Sequence, residues 1–289
     1  MTPARRGGPD RRDGVRPALL DYHVHTKRCK HAVGEIEEYA RAAMQAGVTE
    51  VGFSDHLPLV PPQSSNYHMD FSELDDYVRD VRRIRHEFPK LTIRLAVEAD
   101  YLPGREALSR EILARHAWDY VIGSVHYLDG WGFDNEDEIA RWSQVKVDEV
   151  YRRYYATLRQ SAETGLFDVI GHCDLVKKFG HRPSGDLGED LRSTARCFAA
   201  EGVAVEVNTS GLRKPVHEIY PSARLLGILR IAGVPVTLGS DAHAPQEVGK
   251  NFPEALALMR EAGYETYRRY VGRIPEELPL PEAIPADGR

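Results

Sequence analysis

Histidine is scarce in this chain, with twelve among 289 residues, yet His23, His25 and His31 all fall within "HVHTKRCKH". Two imidazoles two positions apart on an extended segment point to the same side. That suits two ligands of one metal ion, and it suits two buried core histidines equally well. The same residue types recur where other apolar runs end. Asp55-His56 closes "VTEVGFSDH" (48–56), Glu98 falls near the end of "LTIRLAVEAD" (91–100), and His126 closes "WDYVIGSVH" (118–126). His172 follows in "FDVIGHCD" (167–174), and Asp241 and His243 end "VPVTLGSDAH" (234–243). His23, His25, His31, His56, Glu98, His126, His172, Asp241 and His243 are thus nine candidate ligands. Burying so many ionisable groups together is costly unless cations are bound among them. Imidazole and carboxylate donors suit Zn, Mn or Fe. A structural zinc site would be closed by four ligands, often cysteines. Nine donors without a cysteine cluster point instead to two or three divalent ions in an open, catalytic site.

These residues need a scaffold that gathers them. Six apolar runs carry or lead into them, "ALLDYHVH" (18–25) among them, and "VAVEVNTS" (203–210) brings the total to seven. Short, β-branched and apolar throughout, such runs read as buried parallel strands. Helical patterns separate them. Within 34–47, Ile36, Tyr39, Ala40 and Ala43 share one face and Gly47 marks the stop; within 72–88, Ser72 is the expected N-cap and Leu74, Tyr77, Val78, Val81 and Ile84 form a stripe. Further helices fit 104–116, 137–163, 189–201, 222–232 and 246–262. Strand and helix therefore alternate through right-handed crossovers. No strand-to-helix turn carries GxGxxG or a P-loop. Every strand delivers its polar residues at its C-terminal end, and in a barrel those ends meet at one mouth, whereas an open sheet would string them along an edge. The expected fold is α/β, a (β/α)7 TIM-like barrel over 18–289, one pair short of the usual eight, with the metal site at its C-terminal mouth.

Composition narrows the setting. The formal net charge of −6 argues against a nucleic-acid binder, and no apolar run reaches the length of a membrane span. Cys29, Cys173 and Cys197 form no CxxC pair and fit no disulfide framework, so a cytoplasmic location is the expectation. Cys29 reads as a small loop residue, Cys173 as facing the barrel wall, and Cys197 as helix core. His86 and His116 read as solvated helix positions, while His68, His181 and His217 fall in loops above the mouth. Residues 1–17, "MTPARRGGPDRRDGVRP", read as a disordered basic tail rather than a signal peptide, because no apolar centre is present.

Taken together, HxH, a histidine eight residues after the first, DH, E, SVH, GHxD and SDAH resemble the PHP family of metal-dependent phosphoesterases. The likeness spans about residues 19–260. The flanks "HTKRCKHAVG", "GFSDHLPL", "GSVHYLDGWGFD", "GHCDLVKKFG", "EVNTSGLRKP" and "GSDAHAPQEVG" are similar to the branch that hydrolyses L-histidinol phosphate. The resemblance implies a distorted (β/α)7 barrel with up to three metals. His23, His25, Glu98 and Asp241 would hold the first; Glu98, shared, with His126 and His172 the second; His31, His56 and His243 the third. It also implies catalytic roles for Glu98, Asp241 and His243, and attack on phosphorus by a metal-bridging hydroxide. Lys177, Lys178 and Arg213 are candidates for phosphate, or else solvated basic loops. Glu206 and Asn208, or Asp129 in a glycine-hinged lid "YLDGWGFD" (127–134), could meet a cationic substrate; core, capping and turn roles fit them equally well. Another small phosphate ester or a nucleotide is the alternative substrate. A non-catalytic metal-binding regulator would be expected to lack ligands, and none is missing.

Overall fold

The computed structural model of the chain describes residues 18–59 and 66–282. The expected basic tail, 1–17, lies outside the described residues. Eleven strands occur among the described residues: β1 (Leu20–Val24), β2 (Glu50–Phe53), β3 (Thr92–Asp100), β4 (Tyr120–Ser124), β5 (Tyr127–Leu128), β6 (Trp131–Gly132), β7 (Val169–Ile170), β8 (Ala204–Asn208), β9 (Val236–Gly239), β10 (Thr266–Val271) and β11 (Ile274–Pro279). Seven of them pair in parallel in the order β1-β2-β3-β4-β7-β8-β9. They are the seven runs expected from the sequence.

The sheet curls into a nearly closed barrel. Its seam is joined at the C-terminal mouth, where His25 N donates to Ala242 O (3.0 Å) and Ala242 N to His23 O (3.2 Å). Below this bridge, the buried Asp21 carboxylate accepts from Ser240 N (2.8 Å), Ser240 Oγ (2.6 Å) and Gly249 N (2.9 Å). Burial pushes its pKa up to about 6 despite those bonds. The interior beneath the mouth is filled by aromatics. Tyr22 stacks on Tyr120 at 4.5 Å across the barrel, and the Tyr120 hydroxyl donates to Tyr22 O (2.6 Å). Gly52 on β2 makes room for that hydroxyl, since a Cβ there would lie 1.7 Å from it.

Among the described residues, seven α-helices pack outside the sheet: α1 (Ile36–Gln45), α2 (Leu74–Glu87), α3 (Glu106–Leu113), α4 (Val147–Glu163), α5 (Gly188–Glu201), α6 (Ala223–Ile231) and α7 (Phe252–Glu261). The buried faces of α1 and α2 are the stripes read from their spacing. Ser72 does not cap α2. A 3-10 turn, Phe71–Glu73, leads into the helix, and Asp70 and Glu73 form a capping box on it. The helix expected over 137–163 is divided into a 3-10 segment, Glu136–Gln144, and α4. Between them Val145 and Lys146 are extended, while Trp142 turns inward and its indole N–H donates to Phe133 O (2.8 Å).

The antiparallel hairpin β10–β11 was not expected from the sequence. It lies across the N-terminal end of the barrel. Tyr267 and Tyr270 are buried there; the Tyr267 hydroxyl donates to Ala18 O, and Tyr270 N to the Tyr22 hydroxyl (3.1 Å). Just beyond β10, Arg273 pairs with Asp168 ahead of β7 (2.8 Å). No helix among the described residues is long and apolar enough to cross a membrane.

Candidate metal centre

The nine candidate ligands converge at the mouth, carried there by β1 and β3 and by the segments following β1, β2, β4, β7 and β9. His23 Nε2 lies 3.2 Å from Glu98 Oε2 and 3.8 Å from Asp241 Oδ1; His25 Nε2 lies 3.5 and 3.3 Å from the same two oxygens. On the other side of Glu98, Oε1 is 3.0 Å from His172 Nε2 and 3.6 Å from His126 Nε2. His31, His56 and His243 form a third group of donors, all within 4.8 Å of one another. Ligands about 2.0–2.2 Å from a tetrahedral ion stand roughly 3.3–3.6 Å apart, so these spacings fit divalent metal ions.

The unmet nitrogens support the same fit. His23 Nε2, His25 Nε2, His56 Nδ1 and His243 Nε2 are buried without hydrogen-bond partners among the described residues. The opposite nitrogens of several rings are held. His23 Nδ1 lies 2.7 Å from Glu206 Oε1, and His126 Nδ1 lies 2.9 Å from Asp100 Oδ1. His31 Nδ1 and His243 Nδ1 face the backbone oxygens of Cys29 (2.8 Å) and Asp241 (3.1 Å). A carboxylate or carbonyl behind the ring fixes its tautomer and aims the free nitrogen at an ion. Asp241 is aimed in a comparable way. Its backbone is left-handed (φ 53), a conformation aspartate tolerates better than bulky residues. Its Oδ2 meets Ser210 Oγ at 3.0 Å and Asn208 Nδ2 at 3.3 Å.

The electrostatics are those of a cation site. Burial disfavours charge on His23, but the carboxylates of Glu206, Glu98 and Asp241 outweigh it and hold the imidazole well above its ordinary pKa. Burial is likewise overcome at His126, which Asp100 and Glu98 push up to about 10. Burial opposes ionisation of Glu98, and the His56, His23 and His126 rings reverse that and hold it well below the usual carboxylate range. Asp241 is lowered similarly, against burial, by His23, His25 and His243. At His243, burial and the charge on His25 act together to lower the pKa. Protons and metal ions compete for the same atoms.

A cavity of about 470 Å³ opens above these groups and includes Lys178 and Arg213 in its wall. Lys178 Nζ donates to Asp134 O (2.6 Å) and pairs with its carboxylate (3.1 Å); Arg213 Nε pairs with Glu247 (3.1 Å) and Nη2 donates to Ser240 O (2.8 Å). The other expected substrate contacts are not in that wall. Lys177 is buried behind it, with Nζ held by Asp174 (2.9 Å), Glu218 (3.1 Å) and Ile219 O (2.8 Å). Glu206 is buried too: one oxygen holds His23, and the other accepts from His172 N (3.0 Å). Gly239 makes room for it, since a Cβ there would lie 2.1 Å from Glu206 Oε1. Asp129 is exposed, paired with Arg153, and sits at the turn of a small β5–β6 hairpin. That hairpin is pinned rather than a free lid: Trp131 and Phe133 are buried, packing edge-on against Trp142 and Tyr154.

Some members of the site were missed. Asp100 bridges His126 and His68, whose Nε2 lies 2.6 Å from the other carboxylate oxygen. Its position two residues after Glu98 on one strand was the available signal. His68 is buried in the cavity wall, whereas His181 stacks on Trp142 and His217 is exposed. Cys29 is fully buried, and its sulfur belongs to a cluster of possible donors with His25 and His243. His116 is half-buried beside Asp75 (2.9 Å) rather than solvated, and Cys197 is only half-buried.

A parallel barrel with imidazole and carboxylate donors gathered at its C-terminal mouth has the arrangement of a metal-dependent hydrolase. The chain belongs to the PHP family, whose domain matches residues 21–210. It is 41% identical over 249 residues to a "Probable histidinol-phosphatase" of Deinococcus radiodurans, covering 86% of this chain and 95% of that one. It is 28% identical to the histidinol-phosphatase of Bacillus subtilis, over 79% of this chain and 95% of the other. Its fold matches the histidinol phosphate phosphatase of Lactococcus lactis, crystallised with zinc, L-histidinol and phosphate, with a TM-score of 0.78 at 21% identity, covering 89% and 98% of the two chains.

Proposed function

We propose that this protein hydrolyses L-histidinol phosphate to L-histidinol and phosphate, as a cytoplasmic enzyme of histidine biosynthesis built on one barrel domain spanning 18–289. The observation that carries the reading is the complete donor set beneath a cavity walled by Lys178 and Arg213, in a chain 41% identical to a histidinol-phosphatase relative. His23, His25, Glu98 and Asp241 would hold one ion, Glu98, His126 and His172 a second, and His31, His56 and His243 a third. Bound divalent ions supply a water acidic enough to ionise near neutrality and positive charge against the phosphate oxygens. Glu98 presents Oε2 to His23 and His25 and Oε1 to His126 and His172, and so would serve both groups of donors. Asp241 and His243 complete the reacting side of the mouth. Arg213 and Lys178 orient the phosphate group, Arg213 with the planar fork that suits phosphate oxygens. Glu206 and Asp100 keep His23 and His126 in the tautomer that presents Nε2.

The test is phosphate release from a panel of phosphomonoesters by the metal-loaded protein, with and without chelator. Histidinol phosphate is expected to show the highest kcat/KM, and chelation to abolish turnover. A preference for a nucleotide or sugar phosphate would retain the phosphatase and overturn the substrate.

A further inference from the structure

One tyrosine that lines the cavity has a hydroxyl with no partner and no part in the scheme above. Tyr220 lines the cavity and has no exposed surface, and its phenolic oxygen makes no hydrogen bond among the described residues. Folded proteins seldom leave a buried hydroxyl unpaired, because it has given up water and received nothing in return.

The position of this hydroxyl is set by everything except a hydrogen bond of its own. Tyr220 N donates to Asn208 O (2.9 Å), and Tyr220 O accepts from Asn208 N (2.6 Å), which clamps the residue to the end of β8. The Lys177 ammonium sits 5.3 Å from the ring centroid. Gly211 passes so close that a Cβ there would lie 2.9 Å from ring carbons Cε2 and Cζ, and His172 meets the ring edge-on at 6.4 Å. The same cavity wall carries Lys178 and Arg213, and Arg213 Nη1 is also buried without a partner. An anion drawn to those cations would enter the cavity that Tyr220 also lines.

We propose that Tyr220 is a further substrate-contacting residue, whose hydroxyl donates a hydrogen bond to a phosphoryl oxygen of the phosphomonoester beside Arg213. This rests on the reading of the cavity as a phosphomonoester site. A rigidly held neutral donor loses little freedom when the bond forms, and a bond to a charged oxygen is stronger than one to a neutral acceptor. Burial holds the phenol well above its ordinary pKa, so it remains a donor throughout the neutral range.

The experiment compares Tyr220→Phe with wild type as metal-loaded, full-length protein. The readouts are inhibition by inorganic phosphate, kcat/KM for histidinol phosphate and for p-nitrophenyl phosphate, metal content and the thermal midpoint. The expected result is roughly 10- to 100-fold weaker inhibition by phosphate and a similar loss of kcat/KM on both esters. Metal content should be unchanged, and the thermal midpoint unchanged or higher, since an unpaired buried hydroxyl has been removed. Phosphate inhibition within twofold of wild type would overturn the proposal. So would a loss confined to the poorer leaving group, or a lower midpoint with loss of metal, which would mark the hydroxyl as structural. If wild type neither binds phosphate nor cleaves any ester, the phosphatase reading falls as well, and the wild-type arm alone shows that.

Discussion

Among the individual side chains, Glu206 changes meaning most between the sequence and the fold. Its carboxylate is turned to His23 and to the backbone N–H of His172, and it is buried outside the wall of the cavity where a substrate amine would lie. Glu206→Gln is therefore expected to act through the metal ligands. It should lower kcat/KM by about 10- to 100-fold, equally for amine-bearing and simple phosphomonoesters, with a matching fall in bound metal by elemental analysis. A loss confined to histidinol phosphate would instead return Glu206 to substrate recognition. Asp129 is the contrasting case. It is exposed and, among the described residues, paired only with Arg153, so Asp129→Ala should leave kcat/KM within about twofold of wild type, as most surface changes away from a site do.

Among the elements, strand β9 and the β10–β11 hairpin make separable predictions. Gly239, the last residue of β9, lies against Glu206 and His23, where a Cβ would come within 2.1 Å of Glu206 Oε1 and 2.7 Å of His23 Cβ. Gly239→Ala should displace the Glu206–His23 pair and reproduce the metal loss of Glu206→Gln in a chain that still folds, as seen by far-UV circular dichroism. The hairpin lies at the opposite end of the barrel. Tyr267 is buried and fastens β10 to Ala18, two residues ahead of β1. Truncating a buried aromatic costs about 3–5 kcal/mol, so Tyr267→Ala should lower the urea midpoint strongly while the folded protein keeps its kcat/KM. Activity lost in parallel with a normal midpoint would refute the division of the barrel into a working mouth and a stabilising base.

Over the whole molecule, stability, pH and metal are linked. In the metal-free protein His23, His25 and His126 are held above their ordinary pKa near 6.5, His126 at about 10. A folded-state pKa raised in this way adds stability that is full below pH 6.5 and fades as pH rises through the folded value. The metal-free protein should thus lose stability progressively between about pH 6.5 and 10. Metal-loaded protein should not, because the ions have replaced those protons. Metal uptake at pH 7 should release protons, measurable in titrations with buffers of different ionisation enthalpy, and apparent affinity should fall with decreasing pH. Metal should also raise the thermal midpoint in proportion to the logarithm of its free concentration. Uptake without proton release would mean that the histidines are already neutral.

The seven strands and the nine donors were legible in the sequence because each depends on a local regularity. Short β-branched runs make buried parallel strands, and polar residues at the ends of such runs are delivered to one mouth. The helix stripes of α1 and α2 follow from the 3.6-residue period in the same way. What the tertiary structure decided were the partners of groups whose types allow more than one. Lys177 could face substrate or Asp174, Glu206 an amine or His23, and Tyr220 solvent or the cavity. Nothing in their spacing distinguishes these outcomes, since each depends on which residue distant in sequence is brought alongside. The β10–β11 hairpin escaped notice for a related reason. Its residues, alternating with charge in "TYRRYV" and "IPEELP", carry too little apolar signal by themselves, and they become a structural element because the open base of the barrel buries Tyr267 and Tyr270.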